Sequence, residues 1–143
     1  MKSSEKKLIN ISIIYTILAC VCGVFYREFT KFNSYTGDTT LRVLHTHYFV
    51  LGMLFFLVLV ILEKVYQIIS GRLKRLLVFY QIGLNMTVAL LVVRGVTQVL
   101  DIPLSKGLNA SIAGMSGIGH IILGLSLILI LFKIKKVILQ EKY

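Results

Sequence analysis

The stretch that decides the fold runs from Ser111 to Phe132 and reads SIAGMSGIGHIILGLSLILILF. It contains no proline and no Asp, Glu, Lys or Arg. At about 1.5 Å per residue it is long enough to cross a hydrocarbon core of about 30 Å as a helix. Three further apolar stretches of similar length precede it, at Leu8–Tyr26, Val43–Leu62 and Leu76–Leu100. We therefore predict an all-α fold with four transmembrane helices.

The composition of the whole chain agrees with this fold class. Its 143 residues are 57% hydrophobic, and the mean hydropathy is +0.85, so too little charge remains to give a soluble domain a polar shell. The predicted connections are short, which favours one up-down-up-down bundle over residues 1–143. A cleavable signal peptide is the alternative for the first stretch, but its length and the lack of a small-x-small cleavage site favour a retained helix.

The distribution of Lys and Arg predicts the orientation in the membrane. Eleven lie on the side that carries both termini: Lys2, Lys6, Lys7, Lys64, Arg72, Lys74, Arg75, Lys133, Lys135, Lys136 and Lys142. Four lie on the other side: Arg27, Lys31, Arg42 and Lys106. We expect both termini on the cytoplasmic side of a bacterial cytoplasmic membrane. The net charge of +10 then matches anionic lipid headgroups, and no soluble basic module is present to bind nucleic acid.

All three histidines of the chain, His45, His47 and His120, fall inside these apolar stretches. Ionisable side chains at bilayer depth are costly, so each one marks a candidate functional site. On a helical wheel His45 and His47 point about 200° apart. His45 shares its face with Gly52 and is predicted to face the bundle, whereas His47 shares its face with Leu54 and is predicted to face lipid or another subunit. The depth of each residue in the membrane favours the opposite assignment, because His47 is nearer than His45 to the height of His120. We follow the helical wheel and predict that His45 faces the bundle.

Glycines and one arginine accompany the histidines. Gly114, Gly117 and Gly124 lie with His120 on one stripe of the fourth helix, which allows either a closely packed helix or a flat slot beside the imidazole. Arg94 lies inside the third stretch, and its charge needs an anion unless the side chain reaches the membrane surface. The anion could be Asp101, a lipid phosphate or the carboxylate of a bound ligand.

This set of residues predicts a bound haem b. Haem iron accepts axial imidazoles from both faces, the macrocycle needs a slot, and its propionates need cations. We expect His45 and His120 to bind the iron between the second and fourth helices, with His47 as the alternative ligand. The other predicted cofactor-binding residues are Gly52, Gly114, Gly117 and Arg94. Zinc or copper is the alternative, but a closed zinc site needs four ligands.

The two cysteines, Cys20 and Cys22, do not add a convincing ligand pair. Residues one apart on a helix diverge by about 200°, so these thiols cannot easily bridge each other or hold one ion. We interpret both as small packing residues.

The stretch from Leu44 to Gly52, LHTHYFVLG, resembles a His-x-His…Gly signature. This signature lies on the second helix of small bacterial membrane proteins related to cytochrome-oxidase subunit I and to nitric-oxide-response haem/copper proteins. The whole chain is similar to an uncharacterised family of short four-helix bacterial membrane proteins. The resemblance implies His45 and His120 as haem ligands, with Gly52 facing the ring. Copper-site histidines and a His-Tyr crosslink motif are missing, so it does not imply oxygen reduction by this chain alone.

The predicted function is therefore that of a haem b protein in electron transfer or in haem or gas sensing, rather than a stand-alone enzyme. A redox partner, a quinone and a second copy of the chain are the expected partners besides the lipid bilayer. Two alternatives remain, a non-catalytic assembly or structural subunit and a metal-ion or proton-relay protein. A transporter is disfavoured, because no inverted repeat or proline-broken span is visible.

Overall fold

The computed structural model describes residues 3–140. They form four helices without any strand: α1 (Ser3–Phe32), α2 (Thr40–Tyr66), α3 (Gly71–Val99) and α4 (Lys106–Gln140). Each is long and apolar enough to span a membrane, which confirms the predicted all-α, four-helix transmembrane fold.

The helices are longer than the apolar stretches, because only the part inside the hydrocarbon needs to be apolar. Three of them extend beyond both predicted ends, and α3 begins five residues earlier and ends one residue earlier than predicted. We call the end of the bundle near residues 3 and 140 the terminal end, and the other end the far end. Lys2 and Lys142, which enter the charge count, lie outside the described residues, and the orientation in the membrane stays a prediction.

The turn between α2 and α3 is held by a buried carboxylate at the terminal end. Glu63 is only 4% exposed, and its carboxylate oxygens accept the hydroxyl of Ser4 at 2.6 Å and the backbone N–H of Ile69 at 2.8 Å. Gln67 ends α2 with a left-handed backbone, and the hydroxyl of Ser70 accepts an N–H from the first turn of α3. This turn therefore fixes the start of α1 against the end of α2.

The helix α2 is not uniform. It starts with a 3-10 turn at Thr40–Val43, continues as α-helix, widens to a π-helix at Tyr48–Leu54 and returns to α-helix at Phe55. A π-helix closes i→i+5 hydrogen bonds and so takes more residues per turn than the α-helix. A wheel drawn at 3.6 residues per turn therefore gives a wrong angle between a residue before this segment and one after it, but not between His45 and His47, which both precede it.

Backbone carbonyls in the π-helical segment also accept side-chain hydroxyls from neighbouring helices. The carbonyl of Met53 accepts the hydroxyl of Ser12 on α1 at 3.0 Å, and that of Leu51 accepts the hydroxyl of Tyr80 on α3 at 2.7 Å. In hydrocarbon these bonds replace the water that a surface carbonyl would have. The widened segment is thus one place where both α1 and α3 attach to α2.

One side-chain amide joins the first three helices near the middle of the bundle. Asn85 on α3 donates to the hydroxyl of Tyr15 on α1 at 2.9 Å and accepts from the hydroxyl of Tyr48 on α2 at 3.1 Å. Its amide nitrogen also donates to the carbonyl of Gln81 at 2.8 Å. Each polar group therefore has a partner, and three helices meet at one side chain.

The far end of α2 docks onto α3. The hydroxyls of Thr39 and Thr40 donate to the carbonyls of Gly95 and Leu91 at 3.1 and 2.7 Å. Gly95 is required here, because a Cβ at this position would lie 2.6 Å from the side chain of Leu41. These contacts fix the height of α2 against α3.

The helix α4 packs on α3 with backbone nearly touching backbone. A Cβ on Gly83 would lie 2.6 Å from the backbone nitrogen of Leu123, and one on Gly119 would lie 2.8 Å from the hydroxyl of Thr87. The two helices run antiparallel, with Gly119 level with Thr87. Both glycines are buried, and both are needed for this close approach.

We expect Gly119→Leu to separate α3 from α4. The added side chain meets the backbone of Thr87, so it cannot be accommodated by a rotamer change, and overpacking of this kind costs about 1–3 kcal/mol. The matched control is Gly124→Leu on the same helix, where a Cβ meets nothing within 4 Å. Thermal unfolding in detergent should show a clearly lower unfolding temperature for Gly119→Leu only. Equal unfolding temperatures of the two variants would contradict the packing described.

Candidate functional site

The structure brings His47 of α2 and His120 of α4 together. Their ring centroids are 6.4 Å apart and the ring planes are nearly perpendicular, at 82°. Because α2 docks on α3 at Gly95 and α4 packs on α3 at Gly119, the helix α3 holds both histidines at the same height. His47 is half-buried and His120 is exposed, so the pair opens towards the outside of the bundle.

The two imidazoles are oriented in the same way. Nδ1 of His47 lies 2.8 Å from the carbonyl oxygen of Val43, and Nδ1 of His120 lies 2.8 Å from that of Ser116. A carbonyl can only accept, so both Nδ1 atoms carry the proton and both Nε2 atoms keep a free lone pair. Histidines that bind metals commonly have such a bond at the other nitrogen, which fixes the ring and raises its basicity.

His45 lies elsewhere. Its ring packs against α1, where a Cβ on Gly23 would lie 3.7 Å from the Cβ of His45. Its Nδ1 is buried and has no hydrogen-bond partner among the described residues. His45 thus faces the bundle, as the wheel predicted, but it faces α1, whereas the histidine beside His120 is His47, as the depth argument favoured. A wheel identifies an inward face but not the helix that covers it, and here that helix is α1.

The glycines of the predicted site divide into two groups. Gly52 packs against Tyr15, whose Cγ would lie 2.5 Å from a Cβ on Gly52, so it belongs to the interface of α1 with α2 and not to the histidine pair. A Cβ on Gly114 or Gly117 would meet nothing within 4 Å. These two glycines therefore leave open space on α4 in the two turns before His120. The close helix contact is made instead by Gly119, which the stripe did not include.

Arg94 is half-buried at the far end and faces α4. Its Nη2 donates to Oδ1 of Asn109 at 2.7 Å, and within residues 3–140 it forms no ion pair with Asp101. Asn109 is neutral, so the charge is not compensated by this contact. Asn109 precedes His120 by eleven residues, which places it on the same face of α4 and about 16 Å further towards the far end.

An open groove of about 440 Å³ adjoins this arginine. Its lining is mostly polar and consists of Arg94, Thr97, Gln98, Asp101, Ile102, Leu104 and Asn109. An anionic group that enters the groove would therefore meet the guanidinium of Arg94, which has no ionic partner within residues 3–140, beside the carboxylate of Asp101.

Residues 3–140 contain no group of three or more His, Cys, Asp or Glu side chains that could hold a metal ion. Cys20 and Cys22 are both free thiols, Cys20 exposed and Cys22 half-buried. The histidine pair thus offers two protein ligands to any metal centre.

The sequence of the chain matches, over residues 5–137, the model of a family described as "Protein of unknown function (DUF2871)". No curated protein and no solved structure matches it. These comparisons give no link to cytochrome-oxidase subunit I or to nitric-oxide-response proteins, so the haem role implied by that resemblance stays an expectation.

The pairing of His47 with His120 can be tested without any cofactor. In a background with Cys20→Ser and Cys22→Ala, we expect a short bis-methanethiosulfonate reagent to link His47→Cys to His120→Cys within one chain. The matched control, His45→Cys with His120→Cys, should give little of this product, because His45 packs against α1. Mass spectrometry of the digested protein measures both yields, and a higher yield from the control would show that the wheel assignment was right.

Proposed function

We propose that this chain, which belongs to the DUF2871 family of proteins of unknown function, binds one b-type haem in the membrane through His47 and His120. The observation that carries the proposal is the 6.4 Å separation of their ring centroids. A metal–imidazole bond is about 2 Å long and the ring centre lies about 1 Å behind the nitrogen, so two imidazoles on opposite sides of one metal have centroids about 6 Å apart. The observed spacing fits a pair of axial ligands.

The number of ligands favours haem over a bare metal ion. A closed zinc site needs four protein ligands, and the described residues offer no cluster of three. Haem iron needs only two, because the macrocycle supplies the other four. The free Nε2 atoms of His47 and His120 are those two donors, and the carbonyls of Val43 and Ser116 keep them in the required tautomer.

Space and charge also fit the cofactor. Gly114 and Gly117 leave the surface of α4 open beside His120, and the neighbouring side chains of Met115 and Ile121 are exposed apolar groups that suit a macrocycle. The uncompensated charge of Arg94 lies towards the far end, where a propionate would lie nearest to the membrane surface. His45 is left as an alternative ligand, since its Nδ1 has no partner among the described residues.

Bound at this pair, haem would supply a one-electron redox centre with a low-spin iron. The residues of the chain would hold it, orient both imidazoles and neutralise its carboxylates. A role in electron transfer or in haem or gas sensing in a bacterial cytoplasmic membrane follows from such a centre, with a redox protein, a quinone or a second copy as its partner. A structural or assembly subunit is the competing function, and it predicts a protein without colour.

The ligand assignment predicts a specific pattern in three variants. Protein made with ample haem should show a sharp reduced α-band, which His47→Ala and His120→Ala should each abolish by removing one axial donor. His45→Ala is the matched control and should keep the band, because its ring contacts α1. Visible spectra of the reduced, detergent-purified proteins measure this. Loss of the band in His45→Ala but not in His47→Ala would restore the assignment made from the wheel, and a colourless wild type would refute haem binding.

We expect Arg94→Leu to weaken haem retention about tenfold or more, since a charge-assisted hydrogen bond contributes about 1.5–3 kcal/mol. It should also lower the reduction potential, because a nearby positive charge favours the reduced, less positive iron. Arg42→Leu is the control, as Arg42 is an arginine at the same end that already pairs with Asp38 at 2.8 Å. Haem transfer to apomyoglobin and a redox titration measure the two effects; equal behaviour of both variants would exclude Arg94 as a propionate partner.

A further inference from the structure

A second cavity, of about 470 Å³, opens at the terminal end between α1, α2 and α3. Neither the histidine pair nor Arg94 lines it, so it takes no part in the function proposed above. Its depth is apolar, because Leu8, Phe56 and Leu77 line it and are all buried. Its opening is basic, because Lys7 of α1 and Lys74 of α3 line it and are both exposed.

The two ammonium groups at this opening form no ion pair with any residue from 3 to 140. The described residues that line the cavity include no Asp or Glu. The two buried carboxylates of this end, Glu5 and Glu63, do not line the cavity, and that of Glu63 accepts the hydroxyl of Ser4 and the N–H of Ile69. The opening therefore carries net positive charge above an apolar interior.

We propose that this cavity binds one anionic phospholipid, with its phosphate between Lys7 and Lys74 and an acyl chain against Leu8, Phe56 and Leu77. A lysine ammonium binds phosphate as a point charge, and basic pockets between transmembrane helices bind anionic headgroups. A free phosphate would use the lysines and leave the apolar depth unfilled. A quinone would fill the depth and leave both ammonium groups without an anion.

The position of the cavity gives the lipid a structural role. Asn85 joins α1 to α3 near the middle of the bundle, and the cavity lies between the same helices closer to the terminal end. A lipid with its headgroup held by one lysine from each helix closes this gap. The terminal end is also the end that carries most of the Lys and Arg, which is the predicted cytoplasmic side.

The test uses the full chain, delipidated in a neutral detergent and titrated with phosphatidylglycerol, with phosphatidylcholine of the same acyl chains, with the water-soluble headgroup glycerophosphoglycerol, and with a menaquinone. Native mass spectrometry should show one phosphatidylglycerol per chain, retained at least tenfold better than phosphatidylcholine, and only this lipid should raise the unfolding temperature. Comparable binding of phosphatidylcholine, of the headgroup alone or of menaquinone would overturn the proposal.

Two variants with the same change of charge locate the site. Lys7→Gln with Lys74→Gln should lose the preference for phosphatidylglycerol, whereas Lys6→Gln with Arg75→Gln should keep it, because these neighbouring exposed residues do not line the cavity. An equal loss of this preference in both double variants would mean that the lipid responds to the overall charge of this end, and it would overturn the proposed site.

A third variant, Ile11→Trp, tests the apolar depth and guards against a failure of the lysine pair to fold. Ile11 lines the cavity, so the larger ring should displace the acyl chain and lower phosphatidylglycerol binding while the lipid-free protein stays folded. Undiminished binding in this variant would contradict the assigned position of the acyl chain. None of these measurements depends on haem, so the outcome is independent of the function proposed for the histidine pair.

Discussion

A polar group in hydrocarbon without a hydrogen-bond partner costs several kcal/mol, and this constraint governs the structure from its helices to its candidate site. The backbone meets it by forming four long helices. Polar side chains meet it with each other, as Asn85 does with two tyrosines, or with carbonyls, as Ser12 and Tyr80 do in the π-helical segment. Among the described residues, the buried side-chain atoms left without a partner are Nδ1 of His45 and the hydroxyl of Thr87.

The same constraint explains the state of the histidine pair. His47 and His120 each donate from Nδ1–H to the carbonyl four residues earlier, so what remains on each ring is the lone pair of Nε2. Neither imidazole reaches the other helix to do so. The helix α3 brings the two rings together by docking α2 at one level and α4 at another, and the site is therefore a product of helix packing rather than of contacts between its own residues.

The sequence was sufficient for the number of helices, because apolar length is a property of each stretch by itself. It did not predict their ends, since those depend on contacts between stretches, such as the carboxylate of Glu63 on the turn before α3. It predicted His120 beside open glycines but chose the wrong histidine of α2 as its neighbour. The wheel placed His45 and Gly52 on one face, and both do contact α1, but it could not tell which neighbouring helix covers that face. Gly83 and Gly119 were missed as packing residues, because no periodicity in one helix reveals what the other helix presents.

The exposure of His120 on the outside of the bundle has a consequence for how the site is filled. A ligand that binds in the interior of a bundle can enter only while the helices are apart. Its binding is therefore coupled to folding or to a partial opening of the fold. Here the open surface before His120 lies on the outside of the bundle, so an apolar ligand dissolved in a surrounding membrane would reach it by diffusion in two dimensions. For the proposed haem, occupancy would then follow its partition into the bilayer, and the folded protein would exchange it without unfolding.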